Sequence, residues 1–425
     1  MYRRSTTHAK RVEIVERHLQ GQSLPAVAKE MGISYYTARK WWRAYRREGW
    51  SALLPKPHGP PVTGPLGHFD PLVKYAALRL KLEHPKWGPT TVLFYMGRRP
   101  SLSGLKLPKE TALWEYWHQF GDRLIQPRRP VTKRPDPVPE TEVVEVHQRW
   151  QIDFKGEVGT SFGWVIPFHV RDVAGRATLG SFVHLVGVKR RENSVSVRQV
   201  QEDLRVTFTR WGLPDEIQVD RDPVLVGSTR LEWPGTLLLW LVGLGIVVRI
   251  NPPRRPDKNG TVERAHRTWN EHVVVGSDFT DQEELQQETD QAWTDRNWYL
   301  PSRAKGCDGK PPLVAHPELL IPRRPYSREA EDASLFALCR VDRYLAQWEW
   351  RRRVDSTGQI SLADRNQRVG RRYQGQMVKI RFDAATREFV CRTADDQEIH
   401  RFTLVEVSAE YILGFTPPSE DRGTT

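Results

Sequence analysis

The feature that most constrains the fold of this chain is a change of hydrophobic period after residue 146, where segments patterned for helices give way to segments patterned for strands. "RWQIDF" (149–154), "WVIPFHV" (164–170) and "TLGSFVHLVGV" (178–188) alternate or run apolar over strand lengths. Val197, Val200, Leu204, Phe208 and Trp211 then step by three and four, as one face of a helix does. A strand "EIQVD" (216–220), a helix within "GTLLLWLVGLG" (235–245), a strand "IVVRI" (246–250) and a helix opening near Asn259 complete the run. Three strands followed by helix, strand, helix, strand and helix predict a mixed α/β sheet with helices on its faces.

At 425 residues the chain is too long for one ordinary domain, and the flanks of this run read as separate pieces. Between Thr7 and Gly49 the apolar positions recur at helical spacing, with breaks at "GQS" (21–23) and "GIS" (32–34), which predicts three short helices. Ser23 and Ser34 are N-cap residues, Pro25 suits a first turn, Ala28 allows close packing and Gly32 suits the turn, so residues 1–56 read as a helix-turn-helix domain. The helix after Ser34 would read DNA through Tyr35, Tyr36, Arg39, Lys40 and Arg43, with Ala38, Trp41 and Tyr45 at core spacing. Residues 1–60 hold 12 Lys and Arg against 4 Asp and Glu, which favours DNA over a merely solvated basic face.

A Pro/Gly-rich linker (54–69) leads to a second small helical domain at 70–126, with Thr111, Trp114 and Tyr116 on its last helix. It reads either as a second helix-turn-helix or as a spacer bundle packed on the core. A Pro/Arg/Lys-rich linker (127–146) precedes the α/β core at 148–320. From 360 to 410 short strands separated by turn residues predict a small antiparallel β-barrel or meander.

The formal charge of +13 and pI near 9.7 call for a polyanionic partner. Membrane is disfavoured, because the longest apolar run, Thr236–Val248, is broken by glycines and falls short of a bilayer span. No signal-peptide pattern opens the sequence, and Cys307, Cys339 and Cys391 lack partners at metal-ligand spacing, so a reducing cytoplasm is expected.

Three acids stand out on this frame. Asp153 sits in the first strand, Asp220 ends the fourth, and Glu263 enters on the helix after the last strand. They are 67 and 43 residues apart, and converge only if the first and fourth strands are neighbours crossed by that helix. Converging carboxylates repel unless cations intervene. Hard oxygen donors of this kind suit Mg²⁺ or Mn²⁺, and a pair of ions serves phosphoryl transfer. Arg254, Arg255, Lys258, Asn259, Arg264, His266 and Arg267 around Glu263 suit a phosphate backbone brought to that metal. Taken singly each acid has a plainer reading, Glu263 as an i,i+4 partner of Arg267 for one.

Together "WQIDF", "PDEIQVDRDP" and "GIVVRINPPRRPDKNGTVERAHRTW" resemble the integrase core of the DDE recombinases, the group of retroviral integrases and bacterial insertion-sequence transposases. The likeness runs residue by residue through Asp153, Asp220, Pro253, Pro256, Asn259, Gly260 and Glu263, and "DRNWYLPSRAKGCDGKPPLVAHPE" (295–318) resembles the segment that closes such cores. Two features depart from the pattern. The 42 residues between Asp220 and Glu263 exceed the usual spacing, with the surplus in "VLVGSTRLEWPG" (224–235), and Arg221-Asp222 replaces the usual Asn-Gly, making Asp222 a rival ligand.

The resemblance implies an RNase H-like core and a DNA transposase that uses two Mg²⁺ or Mn²⁺ ions for cleavage and strand transfer. It further implies element terminal repeats and target DNA as partners, a homo-oligomer on DNA, and a bacterial, nucleoid-associated location. A catalytically inactive DNA-binding regulator of transposition is the alternative, and a structure-specific nuclease a more distant one.

Overall fold

The computed structural model describes residues 6–54, 64–121, 124, 142–228, 232–252 and 256–414, with only the backbone at 256–257. The chain divides into two compact units, Met1–Asp70 and Pro71–Thr425.

The first unit holds α1 (His8–Leu19), α2 (Leu24–Glu30) and α3 (Tyr35–Glu48). The oxygens of Thr7 and Ser34 accept the backbone N–H groups of Lys10 and Thr37, satisfying donors left open at the first turns. Ser23 holds the N-cap position of α2 but makes no such bond; Pro25 supplies the first turn instead. Gly32, at φ +61°, makes the left-handed turn between α2 and α3 that a side chain would resist. Ile14, Val27, Ala28 and Ala38 form the core, with Trp41 packed against it beneath the Arg11 guanidinium, 4.1 Å from the ring centre.

In the second unit α4 (Pro71–Glu83), α5 (Pro89–Gly97) and α6 (Glu110–His118) precede a mixed sheet. Its strands are β1 (Arg149–Phe154), β2 (Val158–Gly159), β3 (Trp164–Asp172), β4 (Thr178–Gly187), β5 (Glu216–Val219) and β6 (Val247–Ile250). β4, β3 and β1 are antiparallel neighbours, whereas β1, β5 and β6 run parallel. The strand and helix order follows the sequence pattern, and the first strand does lie beside the fourth long one.

Alternation in β1 divides the sheet into two unlike faces. Trp150, Ile152, Phe168, Val170, Ile217 and Val219 are buried on the apolar face, in one core with α7 (Val197–Trp211). α8 (Pro223–Val226) and α9 (Thr236–Gly243) follow β5 and add Leu225, Leu237 and Trp240 to that core. The residues between, Arg149, Gln151 and Asp153, belong to the other face, which meets α10 (Gly260–Trp269) and α11 (Gln282–Trp298). α11 also covers the outer edge of β4. The side chains of Gln282, Gln286 and Asn297 exchange bonds with the backbone of Val183, Ser181 and Thr178, standing in for a further strand. From its other side α11 presents the fully buried Asp295, which accepts from Tyr95 of α5 (3.0 Å) and from Arg98, at its C-cap (2.6 Å).

The surplus segment after Asp220 leaves the sheet undisturbed because its ends meet. Gly235 donates to the carbonyl of Val226, and Gly227, at φ +91°, lies so close to Gly235 that a Cβ would stand 2.4 Å from its nitrogen. The excursion carries Trp233 to Trp350 and Phe389, at ring distances of 5.4 and 5.7 Å.

Those aromatics belong to a C-terminal sheet of β7 (Glu349–Arg353), β10 (Met377–Asp383), β11 (Glu388–Arg392) and β12 (Glu398–Phe402), in the order β12-β11-β10-β7. A separate ribbon joins β8 (Gln359–Leu362) to β9 (Arg365–Arg368). The expected barrel is therefore not closed. The apolar face of the four-stranded sheet (Val378, Ile380, Phe389) is spent on the main core rather than on itself. The last helix, Ala409–Leu413, ties down the same end: the carbonyls of Ile412 and Leu413 accept from Gln201 and Arg205 of α7. Among the described residues no helix is long and apolar enough to cross a membrane.

Arg205 also grips Glu331, which is fully buried and accepts from Arg205 Nε and Nη2 (both 3.0 Å), Trp240 Nε1 (2.7 Å) and the Tyr326 hydroxyl. Burial pushes this carboxyl up, but the bonds from Arg205, Tyr326 and Trp240 outweigh it and hold it below the ordinary range. Glu331→Ala leaves the buried Arg205 guanidinium only the exposed Glu202 as a counter-ion and should lower stability by about 3–5 kcal/mol in urea unfolding. Because the folded pKa is depressed, this contribution is present at neutral pH and lost as pH falls through it, so the gap between wild type and variant should narrow in acid.

Candidate active site

The parallel pairing of β1 with β5 sets the site. Arg149 faces Glu216 and Gln151 faces Gln218 in register, and both pairs bond: Arg149 Nε to Glu216 Oε2 at 2.7 Å, Gln151 Nε2 to Gln218 Oε1 at 3.2 Å. Asp153 and Asp220 come two residues further along each strand, in the same phase of the pleat.

Gln151 does more than pair. Its Oε1 accepts from the backbone N–H of both Thr261 and Val262 at 3.1 Å, and its Nε2 donates to the carbonyl of Lys258 at 2.8 Å. The first turn of α10 is thus capped from a neighbouring strand, Asn259 at the N-cap position making no side-chain cap bond. Gln218 Nε2 joins the same carbonyl at 3.0 Å and reaches Asn251 Oδ1 at 2.7 Å, and Asn251 Nδ2 donates to Asp220 Oδ1 at 2.5 Å. One chain of amides therefore fixes both the start of α10 and the carboxylate of Asp220.

On α10, three residues and nearly one turn after Glu263, stands His266, whose Nε2 lies 3.2 Å from Asp153 Oδ2. Behind it stands His169, the cross-strand partner of Asp153, with its ring 4.9 Å from that of His266 and its Nδ1 2.8 Å from Ser181 Oγ. Burial holds His169 well below the usual histidine range. Asp153 is held above the carboxylate range, by burial first and by the charge of Asp220, against the bond from His266. Glu263 is likewise raised by burial and then by the charges of Asp153 and Asp220. The three acids thus lie within electrostatic reach of one another although far apart in sequence. Among the described residues, no three His, Cys, Asp or Glu side chains gather closely enough to hold a metal ion as they stand.

Asp222 has other work. Its Oδ1 accepts from Val224 N at 2.8 Å as the N-cap of α8, and burial raises its pKa.

Of the basic belt expected around Glu263, Arg264 and Arg267 are exposed and Lys258 is half-buried. Two members need correction. Asn259 is fully buried, with neither side-chain polar atom bonded among the described residues, and so offers no surface to DNA. His266 is turned in to Asp153 rather than out to a phosphate. Arg254, Arg255 and Pro253 lie outside the described residues. Gln151, Gln218, Asn251 and His169 were not singled out in the sequence; the signal that could have found them is the shared pattern Gln-x-Asp in "QID" and "QVD".

In the first unit Tyr35, Tyr36, Arg39, Lys40 and Arg43 are all exposed along α3, Tyr36 at 78%. Ala38 is buried, and Trp41 and Tyr45 are half-buried.

Residues 10–61 match a helix-turn-helix domain family. Among solved structures the chain is similar to the integrase catalytic core domain of HTLV-2 in complex with magnesium, at 13% identity over 40% of this chain and 96% of that one, TM-score 0.29. It is similar to the catalytic core domain of BIV integrase at 19% identity over 40% and 95%, TM-score 0.28. A third similarity is to a simian T-cell lymphotropic virus intasome in complex with the PP2A regulatory subunit B56 gamma, 13% identical over 76% and 95%, TM-score 0.33.

Two outcomes are expected. Gln151→Leu keeps the bulk but strands the N–H groups of Thr261 and Val262, leaving the Lys258 carbonyl to Gln218, and should cost about 2–4 kcal/mol in urea unfolding, more than Gln218→Leu. Arg39→Ala should relax base preference at one position of a selected duplex by roughly 1–3 kcal/mol if Arg39 reads a base edge; equal, salt-sensitive weakening on every sequence would assign it to phosphate.

Proposed function

We propose that this protein is a DNA transposase or integrase of the DDE kind, with an RNase H-like core that cleaves and joins DNA ends. The observation that carries the reading is the approach of Asp153 on β1, Asp220 just past β5 and Glu263 on α10, far apart in sequence, with the charge of Asp220 raising Asp153 and the charges of Asp153 and Asp220 raising Glu263. The donor set fits Mg²⁺ or Mn²⁺: all oxygen, all anionic when ionised, and relieved of repulsion by a divalent ion. Two such ions would supply a polarised attacking oxygen and a stabilised leaving oxygen at the phosphodiester.

The chain's own residues prepare that chemistry. His266 holds one oxygen of Asp153. Asn251 does the same for Asp220. Gln151 fixes the helix that carries Glu263. The employment of Asp222 as a helix cap favours Asp220 as the second ligand. Arg264 and Arg267 are exposed beside Glu263 and suit the backbone of the DNA, with Lys258, Arg254 and Arg255 assigned the same role.

In this reading α3 recognises the terminal repeats of a bacterial mobile element through Tyr35, Tyr36, Arg39, Lys40 and Arg43. The protein acts as a homo-oligomer that holds two ends against a target duplex. The second reading, a DNA-binding regulator without catalysis, shares the helix-turn-helix match but leaves the assembled acids without a purpose.

Asp153→Asn, Asp220→Asn and Glu263→Gln should each abolish Mg²⁺- or Mn²⁺-dependent cleavage and strand joining on end DNA, with the mobility shift largely unchanged. Asp222→Asn should stay active. A wild type that binds authentic ends tightly yet cuts nothing with either metal would establish the regulator, and an inactive Asp222→Asn beside an active Asp220→Asn would move the second ligand.

A further inference from the structure

A second set of charged groups lies on the same polar face, on the far side of the α10 start from the acids. Arg171, near the end of β3, is 9% exposed. Its cross-strand partners are Gln151 on β1 and Thr178 on β4, so it lies between the strand that caps α10 and the strand whose edge meets Asn297 of α11. Its Nε is buried and unbonded, and so are Arg176 Nε and Thr178 Oγ1. Three donors on one β-hairpin thus lack an acceptor among the described residues.

More positive charge surrounds them. Arg176 Nη1 donates to Thr261 Oγ1 at 3.0 Å, which holds it beside α10. Arg296, next to Asn297 on α11, has Nη1 2.9 Å from His272 Nε2 rather than on a carboxylate. Burial first, and then the charges of Arg296, Arg176 and Arg264, push the Arg171 guanidinium down to about 9. Buried charges are ordinarily paired, because an uncompensated one is strongly destabilising. Among the described residues no carboxylate pairs with Arg171. What the cluster lacks is an anion with several acceptor oxygens.

We infer that Arg171, Arg176, Thr178 and Arg296 form a binding site for one phosphate group, entered past Arg264 and filled by a backbone phosphodiester of the DNA strand that lies over Glu263. Guanidinium forks match phosphate geometry and bind it through paired N–H bonds, which a peptide carboxylate with two oxygens would satisfy less fully. The choice of DNA as the source rests on the proposed function. The phosphate chemistry does not, since it follows from the unmet donors.

The test uses the full chain, inorganic phosphate as one probe and a fluorescent random-sequence duplex as the other, so that sequence reading by α3 contributes equally to every protein compared. Phosphate should raise the thermal midpoint of the wild type above a sodium chloride control of equal ionic strength. Arg171→Met should lose that rise, should be at least as stable as the wild type without phosphate, and should bind the duplex on the order of tenfold more weakly, with a salt dependence shallower by about one phosphate contact. Arg171→Lys should recover part of the binding. Arg176→Gln, at a half-buried position, should weaken both responses and serves if Arg171→Met does not fold.

An Arg171→Met protein that is less stable, yet responds to phosphate and binds duplex as the wild type does, overturns the inference in favour of a structural guanidinium. Loss of the phosphate response with unaltered duplex affinity and salt dependence overturns the DNA source and leaves a site for free phosphate. Failure here is separable from failure of the functional reading: a protein that binds duplex through Arg171 but never cuts it fails only the latter, and one that cuts while ignoring Arg171 fails only this inference.

Discussion

The register between β1 and β5 is the constraint on which the rest of the core depends. Two short strands carry matching triplets, Arg149-Gln151-Asp153 and Glu216-Gln218-Asp220, and the first two rungs are locked by an ion pair and an amide bond. A slip of one residue in either strand would turn that strand's side chains to the opposite face, putting Trp150 or Ile217 among the polar groups and Asp153 or Asp220 into the apolar core. Register is therefore held twice, by the buried hydrophobic face and by the rungs. The consequence reaches beyond the strands, because Gln151 also caps α10 and thereby sets the height at which Glu263 stands above them.

The same economy governs the periphery. An edge strand invites pairing, and β4 meets it with side-chain amides from α11 instead of another strand, leaving that helix free to carry Asp295 to α5 and Arg296 toward Arg171. The surplus segment between Asp220 and Glu263 could have disturbed the site it interrupts. Closure between Gly227 and Gly235 prevents this, since two backbones approach there more nearly than any Cβ would allow. The segment then acts as a bracket, with Trp233 seated among aromatics of the C-terminal sheet. That sheet has no need to close on itself, because its apolar face already has a partner.

Much of this was legible in the sequence wherever one residue's chemistry is decided by its own strand or helix. The period of "RWQIDF", the stepping of Val197 to Trp211 and the cap at Ser34 are local signals, and local physics answers them. What escaped is what depends on partners distant in the chain. His266 looked like one more cation in a basic stretch, yet its helical phase turns it to Asp153, 113 residues earlier. Asn259 sits in a polar, turn-forming stretch and is nevertheless fully buried, because α10 is pinned against two glutamines that no local pattern ties to it. The fate of the C-terminal strands was hidden for the same reason: alternation shows that a strand has an apolar face and not what will cover it.

One question posed by the stretch from Asn251 to Asn270 is how Glu263 survives among so many bases without being paired by them. Helix geometry supplies the answer. Glu263 and Arg264 are neighbours in sequence but point about 100° apart around the axis. The first is in electrostatic reach of Asp153 and Asp220, the second of Arg171 and Arg296. Arg267, a turn further on, lowers the Glu263 pKa only weakly, and among the described residues no ion pair joins Glu263 to either arginine. An ion pair there would have been the cheaper structure, for it would have relieved repulsion among the acids and among the arginines at once. Instead, among the described residues, α10 has the acids Asp153, Asp220 and Glu263 within reach of one part and the guanidinium groups of Arg171, Arg176 and Arg296 within reach of another, with no ion pair between the two sets. In the proposed reading, a metal-bound phosphodiester chain would bring a cation to the first group and an anion to the second.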